Sequence, residues 1–83
     1  MMNYINTVKI LISPIVKDIN NIQIRMLNEN DNELEILIMT SDSDLARLIG
    51  KKGLIIDSIR RLVNVKASRE QKRIKVSLEA FNE

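Results

Sequence analysis

The sequence predicts one α+β domain with elements in the order helix, strand, strand, helix, helix, strand. Three observations carry this prediction. The chain has 83 residues, which is the length of one domain. Apolar residues recur at helical spacing in three segments and alternate with polar residues in three others. Apolar residues make up 45% of the chain and charged residues 29%, which is typical of a folded protein. Residues 1–83 are therefore expected to form one domain.

The first element, residues 2–17, is predicted to be a helix with a break. Its apolar side chains recur at steps of three and four and form one stripe. Pro14 has no backbone N–H and crowds the turn before it, so the break belongs near Ser13. Asn20 and Asn21 are typical turn residues, and they end the segment.

Two strands are predicted next, over residues 22–27 and 33–39, because apolar and polar residues alternate in both. The five residues between them, 28–32, include no β-branched residue and suit a hairpin turn. The second strand is apolar on both faces, which is typical of an interior strand. A last strand is predicted over residues 73–79. One face of the first strand carries Ile22, Ile24 and Met26, and one face of the second carries Leu34, Ile36 and Ile38. The residues expected to point inward from the last strand are Ile74, Val76 and Leu78.

Two helices are predicted between the second strand and the last. Ser41 and Asp44 resemble a capping box at the start of the first helix, with Ser43 as the alternative cap. This helix stops at Gly50, because glycine can take the left-handed conformation that closes helices. The second helix covers residues 54–66 and is followed by a charged turn over residues 69–72. The side chains expected to face the core from these helices are Leu45, Leu48, Ile49, Leu54, Ile55, Ile59, Leu62 and Val63.

The composition argues against an enzyme. The chain contains no Cys, so thiolate zinc sites, disulfides and Cys nucleophiles are excluded. It contains no His, the residue that most often transfers protons near neutral pH. Asp42, Asp44 and Asp57 are the best candidates for a metal site, but the first two suit helix capping better. We therefore expect no catalytic residues, no metal and no cofactor.

The chain lacks the features of a membrane or exported protein. No apolar run approaches the 18–20 residues of a membrane span. The N-terminus has no basic region before an apolar run, so it does not resemble a signal peptide. A cytoplasmic location is expected.

Positive charge is concentrated in the second half of the chain. Residues 1–41 contain three basic and five acidic residues, a balance of −2. Residues 45–75 contain ten basic and two acidic residues, a balance of +8. Such a local excess is expected of a surface that binds a polyanion, although a solvated basic face without a partner would look the same.

The compact motif of the basic region is Gly50-Lys51-Lys52-Gly53, which joins the two predicted helices. Glycines let the backbone approach a ligand closely, because no Cβ stands in the way. The motif lies at the start of the next helix, where outward N–H groups and the helix dipole favour phosphate. It could hold a sugar–phosphate backbone without reading its sequence. The alternative is a plain helix–turn–helix corner with lysines that add solubility.

The segment Leu48-Ile49-Gly50-Lys51-Lys52-Gly53, followed by Ile55 and by Ile59-Arg60-Arg61-Leu62-Val63, resembles the core of a KH domain, the G-x-x-G module that clamps about four nucleotides. The length, the leading helix, Pro14 and the final segment Arg69 to Val76 are similar to the KhpA family of small bacterial proteins with one KH domain. The resemblance implies a type II KH fold, in which helices pack on one face of a three-stranded mixed sheet. It also implies RNA binding without catalysis, self-pairing, a KhpB (Jag)-like protein partner and a link to cell shape.

The resemblance assigns roles to residues of the loop and its surroundings. Gly50 and Gly53 would be the hinges of the clamp, and Lys51 and Lys52 would contact phosphates. Leu54 departs from the family pattern, which often has a polar or basic residue there. The remaining RNA-binding candidates are Ile49 as a groove wall and the basic residues Arg47, Arg60 and Arg61.

Two interpretations of function remain open at this stage. The first is a protein that binds single-stranded RNA with low sequence specificity, as a chaperone or regulator, and acts as a dimer. The second is an adaptor that pairs with itself or with a KhpB/Jag-like protein, with RNA secondary. Leu54 and the outer sheet face with Leu27, Leu37 and Met39 favour the second.

Overall fold

The computed structural model describes residues 3–81. The predicted element order is confirmed, and short 3-10 turns precede the first strand and the third helix. The elements are α1 (Tyr4–Ile12), β1 (Gln23–Leu27), β2 (Glu33–Thr40), α2 (Asp42–Ile49), α3 (Leu54–Ser68) and β3 (Arg73–Ala80), with the 3-10 turns at Ile19–Asn21 and Lys51–Gly53.

The three strands form one mixed sheet in the order β1-β2-β3. β1 pairs with β2 antiparallel, and β2 pairs with β3 parallel. A parallel pair cannot be closed by a tight turn, so α2 and α3 together form the crossover. β2 is the central strand, which confirms the prediction from its two apolar faces.

The core lies between one face of the sheet and the helices. Leu34, Ile36 and Ile38 of β2 are buried, and Ile74 and Val76 of β3 lie beside them in register. The other sheet face is open, with Leu37 and Met39 half-buried at its centre. The helical residues of the core are Tyr4, Val8, Ile12, Leu48, Ile56, Ile59, Val63 and Ala67.

The core-facing side of α3 differs from the prediction. Leu54 and Leu62 were expected in the core but are 62% and 54% exposed, whereas Ile56 and Ala67 are buried. α3 begins with three consecutive apolar residues, Leu54, Ile55 and Ile56, so periodicity alone does not fix which side faces the sheet. Packing against β3 and α1 selects the side with Ile56. Ile49, predicted to face the core, is also exposed by 39%.

Helix α1 is shorter than predicted, and the break predicted near Ser13 is confirmed. The helix ends at Ile12, and the Ser13 N–H still donates to the carbonyl of Lys9. The N-terminus of the predicted helix includes Met2, which lies outside the described residues. The Asn3 side chain accepts the N–H of Asn6 and caps the start of the helix.

Ser41 caps α2 as predicted, but Asp44 does not complete a capping box. The Ser41 hydroxyl accepts the N–H of Asp44 at 3.3 Å. The buried carboxylate of Asp44 instead accepts the backbone N–H of Lys17 at 2.9 Å and Arg47 Nη1 at 2.9 Å. The Lys17 N–H, helped by Arg47 and opposed by burial, holds the pKa of Asp44 below its usual 3.8. This contribution to stability is present above pH 3.8 and is lost as the pH falls through the lower folded pKa.

Tyr4 packs in the core and ties α1 to the turn that follows α3. Its hydroxyl donates to Glu70 Oε1. Burial, followed by the hydrogen bond and the charge of Glu70, raises the pKa of Tyr4 to about 12. Because the folded pKa is raised from 10.0, this contribution is complete below pH 10 and is lost as the pH rises through about 12. The bond therefore holds throughout the neutral range.

Candidate nucleic-acid interface

The GKKG loop, residues Gly50 to Gly53, joins α2 to α3 at the surface. Gly50 ends α2 as predicted, and its N–H donates to the carbonyl of Ala46 at 3.0 Å. Its backbone has φ 72° and ψ 177°, rather than the left-handed helical values expected of a cap. This combination is nearly restricted to glycine.

Gly50 is also held against the side chain of Ile55. A Cβ at Gly50 would lie 2.6 Å from Ile55 Cγ1 and 2.9 Å from Ile55 Cβ. Gly53 also has a positive φ of 76°, but a Cβ there would meet no atom within 4 Å. The first glycine is therefore required by packing and conformation, whereas the second leaves open space outside the backbone.

Lys51 and Lys52 are both exposed at the tip of the loop. Lys52 has φ 58° and ψ 23°, a left-handed conformation that lysine rarely adopts. Within residues 3–81, neither lysine side chain forms an ion pair or hydrogen bond that would hold it against the protein. Their ammonium groups are thus available to a ligand.

The loop offers fewer free amides than the sequence suggested. The N–H of Gly53 donates to the carbonyl of Gly50 at 3.2 Å, and the N–H of Leu54 donates to the carbonyl of Lys51. These two bonds close the turn from inside. The donors that the structure leaves to a ligand at the loop tip are therefore the two exposed lysine side chains.

The three arginines proposed for RNA binding do not share one surface. Arg47, on α2, is paired with Asp44 at 2.9 Å, with its side chain 46% exposed. Arg60 lies beside β3 and donates to the carbonyl of Val76 from Nε at 3.2 Å and from Nη2 at 3.0 Å. Arg61 is exposed on the next position of α3, about 100° around the helix from Arg60. Arg60 and Arg61 therefore face different directions.

Apolar side chains flank the loop on both sides. Ile49 precedes it and is exposed, Leu54 follows it and is more exposed, and Ile55 is half-buried against Gly50. Ile49 was proposed as a groove wall and was also expected in the core; its exposure contradicts the core position, and the groove wall stays a prediction. Leu54 forms an apolar patch next to the lysines where the resemblance implies a polar residue.

Sequence reasoning missed Asn64, which closes part of the edge of β3. Its side chain accepts the N–H of Ile74 at 2.8 Å and donates to the carbonyl of Ile74 at 2.9 Å. The half-buried position of Asn64 against β3 is seen only in the structure, so no sequence signal identified this residue.

Neither a metal site nor a membrane span is found within residues 3–81. No three acidic side chains there come close enough to hold an ion, and Asp44 is occupied by Lys17 and Arg47. No helix of this part of the chain is both long enough and apolar enough to cross a bilayer.

Comparison with known proteins agrees with this geometry. The family model described as "KhpA/KhpB, KH domain" matches residues 6–78. This range includes both helices around the GKKG loop, all of β1 and β2, and β3 up to residue 78. No curated protein matches significantly. KH domains are nucleic-acid-binding modules, and the family supports a general role in RNA binding. The family model thus covers most of a chain in which a two-helix crossover with a glycine-flanked loop lies on a three-stranded mixed sheet. The chain therefore belongs to the KhpA/KhpB family of KH domains.

Proposed function

We propose that the chain binds single-stranded RNA by gripping its backbone with the GKKG loop, with low sequence specificity, as a cytoplasmic RNA chaperone or regulator. The observation that carries this proposal is the exposure of Lys51 and Lys52 on a turn between two helices, where their side chains form no ion pair within residues 3–81. Contacts to phosphate give affinity without reading bases.

The charge around the loop supports the same function. Lys51 and Lys52 precede the N-terminus of the 15-residue helix α3, where the helix dipole favours an anion. The two aromatic residues of the chain, Tyr4 in α1 and Phe81 after β3, lie outside the loop and its flanking helices. The loop itself therefore carries no aromatic ring on which a base could stack, which favours a grip on the backbone.

Binding is expected to be sensitive to salt. Each phosphate neutralised on a single strand contributes about −0.7 to the slope of log K against log salt concentration, so two lysine contacts predict a slope of about −1.4 or steeper. Fluorescence anisotropy with a labelled single-stranded oligonucleotide, titrated from about 50 to 300 mM salt, measures this slope. A matching duplex serves as the control, and a slope near zero would contradict a phosphate clamp.

A second candidate function is that of an adaptor that pairs with itself or with a KhpB/Jag-like protein. It is favoured by an apolar stripe on the outer face of α3, which consists of Leu54, Leu62 and Val65. These side chains are 62%, 54% and 59% exposed and fall within about 80° of one another around the helix. Covering such a stripe with a second copy would remove apolar surface from water and enlarge a thin core.

Negative charge on the α3 stripe is expected to prevent self-pairing. Replacing both Leu62 and Val65 with glutamate is expected to convert a dimer to a monomer, because each copy of the chain would bury two carboxylates in the interface. Light scattering coupled to size exclusion measures the mass. Ile10→Glu is the matched control, since Ile10 is 65% exposed on α1, away from this stripe. If the parent chain is already a monomer at high concentration, self-pairing through α3 is wrong.

A further inference from the structure

Strand β3 is an edge of the sheet, and α3 lies beside that edge. A free edge exposes N–H and C=O groups to which another strand can pair. On β3 these groups belong to alternate residues. The N–H and C=O of Ile74 point away from β2, since both bond to the side chain of Asn64. The carbonyl of Val76, two residues on, also points away from β2 and toward Arg60.

Asn64 bonds to Ile74 in the manner of a neighbouring strand. Its Oδ1 accepts the Ile74 N–H at 2.8 Å, and its Nδ2 donates to the Ile74 carbonyl at 2.9 Å. One residue thus exchanges a donor and an acceptor with β3, which is the pairing that two opposed residues make in an antiparallel ladder. The same Nδ2 also donates to the carbonyl of Arg60 at 2.9 Å, so the amide is fixed on both sides.

Arg60 closes the next outward-facing position. Its Nε and Nη2 both donate to the carbonyl of Val76, at 3.2 Å and 3.0 Å. Its Nη1 lies 3.4 Å from Asp57 Oδ1, one turn earlier on α3. Asp57, Arg60 and Asn64 follow at steps of three and four, so one side of the helix carries the whole network.

We propose that Asn64 and Arg60 act as a substitute strand that closes the edge of β3 to strand addition by a second copy of the chain. β3 is eight residues long and carries apolar residues at alternate positions, so an open edge would be a template for pairing. The network satisfies three of its outward backbone groups within the chain. This inference is independent of the proposed RNA function.

The first test is native-state hydrogen exchange of Asn64→Ala. The amide of Ile74 loses its acceptor, so we expect its exchange to be at least about tenfold faster than in the parent, while the amide of Ile36 in the central strand stays protected. Ser58→Ala is the matched control, because Ser58 lies on the exposed side of α3 and bonds only to the carbonyl of Leu54. Unchanged exchange at Ile74 would overturn the proposal.

The second test adds a labelled peptide with the sequence of residues 73–80. We expect it to bind the Asn64→Ala variant and not the parent, and to lose binding when its alternate amides are methylated. Equal binding by parent and variant, or by neither, would overturn the proposal. If Asn64→Ala fails to fold, the peptide assay is repeated with Asn64→Asp, which keeps the acceptor for the Ile74 N–H but replaces the donor with a carboxylate oxygen facing the Ile74 carbonyl. RNA affinity is measured on the same variants, so that a failed RNA clamp and a failed edge closure give separate results.

Discussion

Replacing Lys51 and Lys52 together with aspartate is expected to abolish binding to single-stranded RNA and leave the domain folded. Two charge-assisted contacts of about 1.5–3 kcal/mol each would be lost, and repulsion would be added. Since 1.4 kcal/mol corresponds to a tenfold change, affinity is expected to fall by at least about 100-fold. Fluorescence anisotropy measures the loss, and thermal unfolding checks the fold.

The structure explains why this variant should fold. Both lysines are exposed, and their side chains form no ion pair with any residue between positions 3 and 81. Lys52 has φ 58°, which aspartate adopts more readily than lysine. A carboxylate at position 51 or 52 would also lie near the N-terminus of α3, where the helix dipole favours negative charge.

A matched variant separates the loop from net charge. Lys9→Asp with Lys66→Asp changes the formal charge by the same four units, at exposed positions on α1 and near the end of α3. Both variants carry a formal charge of −2, because the chain starts at +2. Equal loss of RNA in the two variants would mean that binding depends on overall charge and that the loop has no special role. Full retention of RNA by the loop variant would reject the clamp itself.

Gly50→Ala is expected to destabilise the domain by about 2–6 kcal/mol, because overpacking and a glycine-only backbone conformation each cost about 1–3 kcal/mol. The new Cβ would lie 2.6 Å from Ile55 Cγ1, and the φ of 72° with ψ of 177° strains any other residue. A loss of this size is a large fraction of the stability of a small domain. Chemical denaturation measures it as a fall in the unfolding midpoint.

Gly53→Ala is the control for this prediction. Its φ of 76° costs a non-glycine residue about 1–2 kcal/mol, and no atom lies within 4 Å of the added Cβ. We therefore expect a smaller loss of stability than at Gly50. If RNA approaches the backbone at Gly53, the RNA affinity of the Gly53→Ala variant is expected to fall by more than this modest strain explains. Equal destabilisation by the two substitutions would contradict the contact between Gly50 and Ile55.

The element order, the hairpin and the central position of β2 were predictable from local patterns. Pro14 and Ser13 indicated the end of α1, and the alternation in residues 33–39 indicated the interior strand, because both signals act within a few residues. The exposure of Lys51 and Lys52 was also predictable, because charged residues in a turn between two glycines have no place in the core.

The orientation of α3 and the partners of its polar residues were not predictable. Leu54, Ile55 and Ile56 are consecutive and apolar, and nothing in the sequence indicates which of them is buried. Packing of α3 against β3 and α1 buries Ile56. Asp44 looked like a capping residue, but its carboxylate binds the backbone of Lys17, 27 residues away. Arg60 looked like a phosphate ligand, but its guanidinium also binds the carbonyl of Val76.

Sequence by itself determined the kinds of elements, their order and the position of a basic loop, because these depend on spacing and on conformational preferences of neighbouring residues. Tertiary structure alone decided which faces of the helices are buried, which amides of the loop are free and which side chains close the edge of β3. Those outcomes depend on contacts between residues that are distant along the chain, where a side chain's partner is set by the packing of whole helices against the sheet.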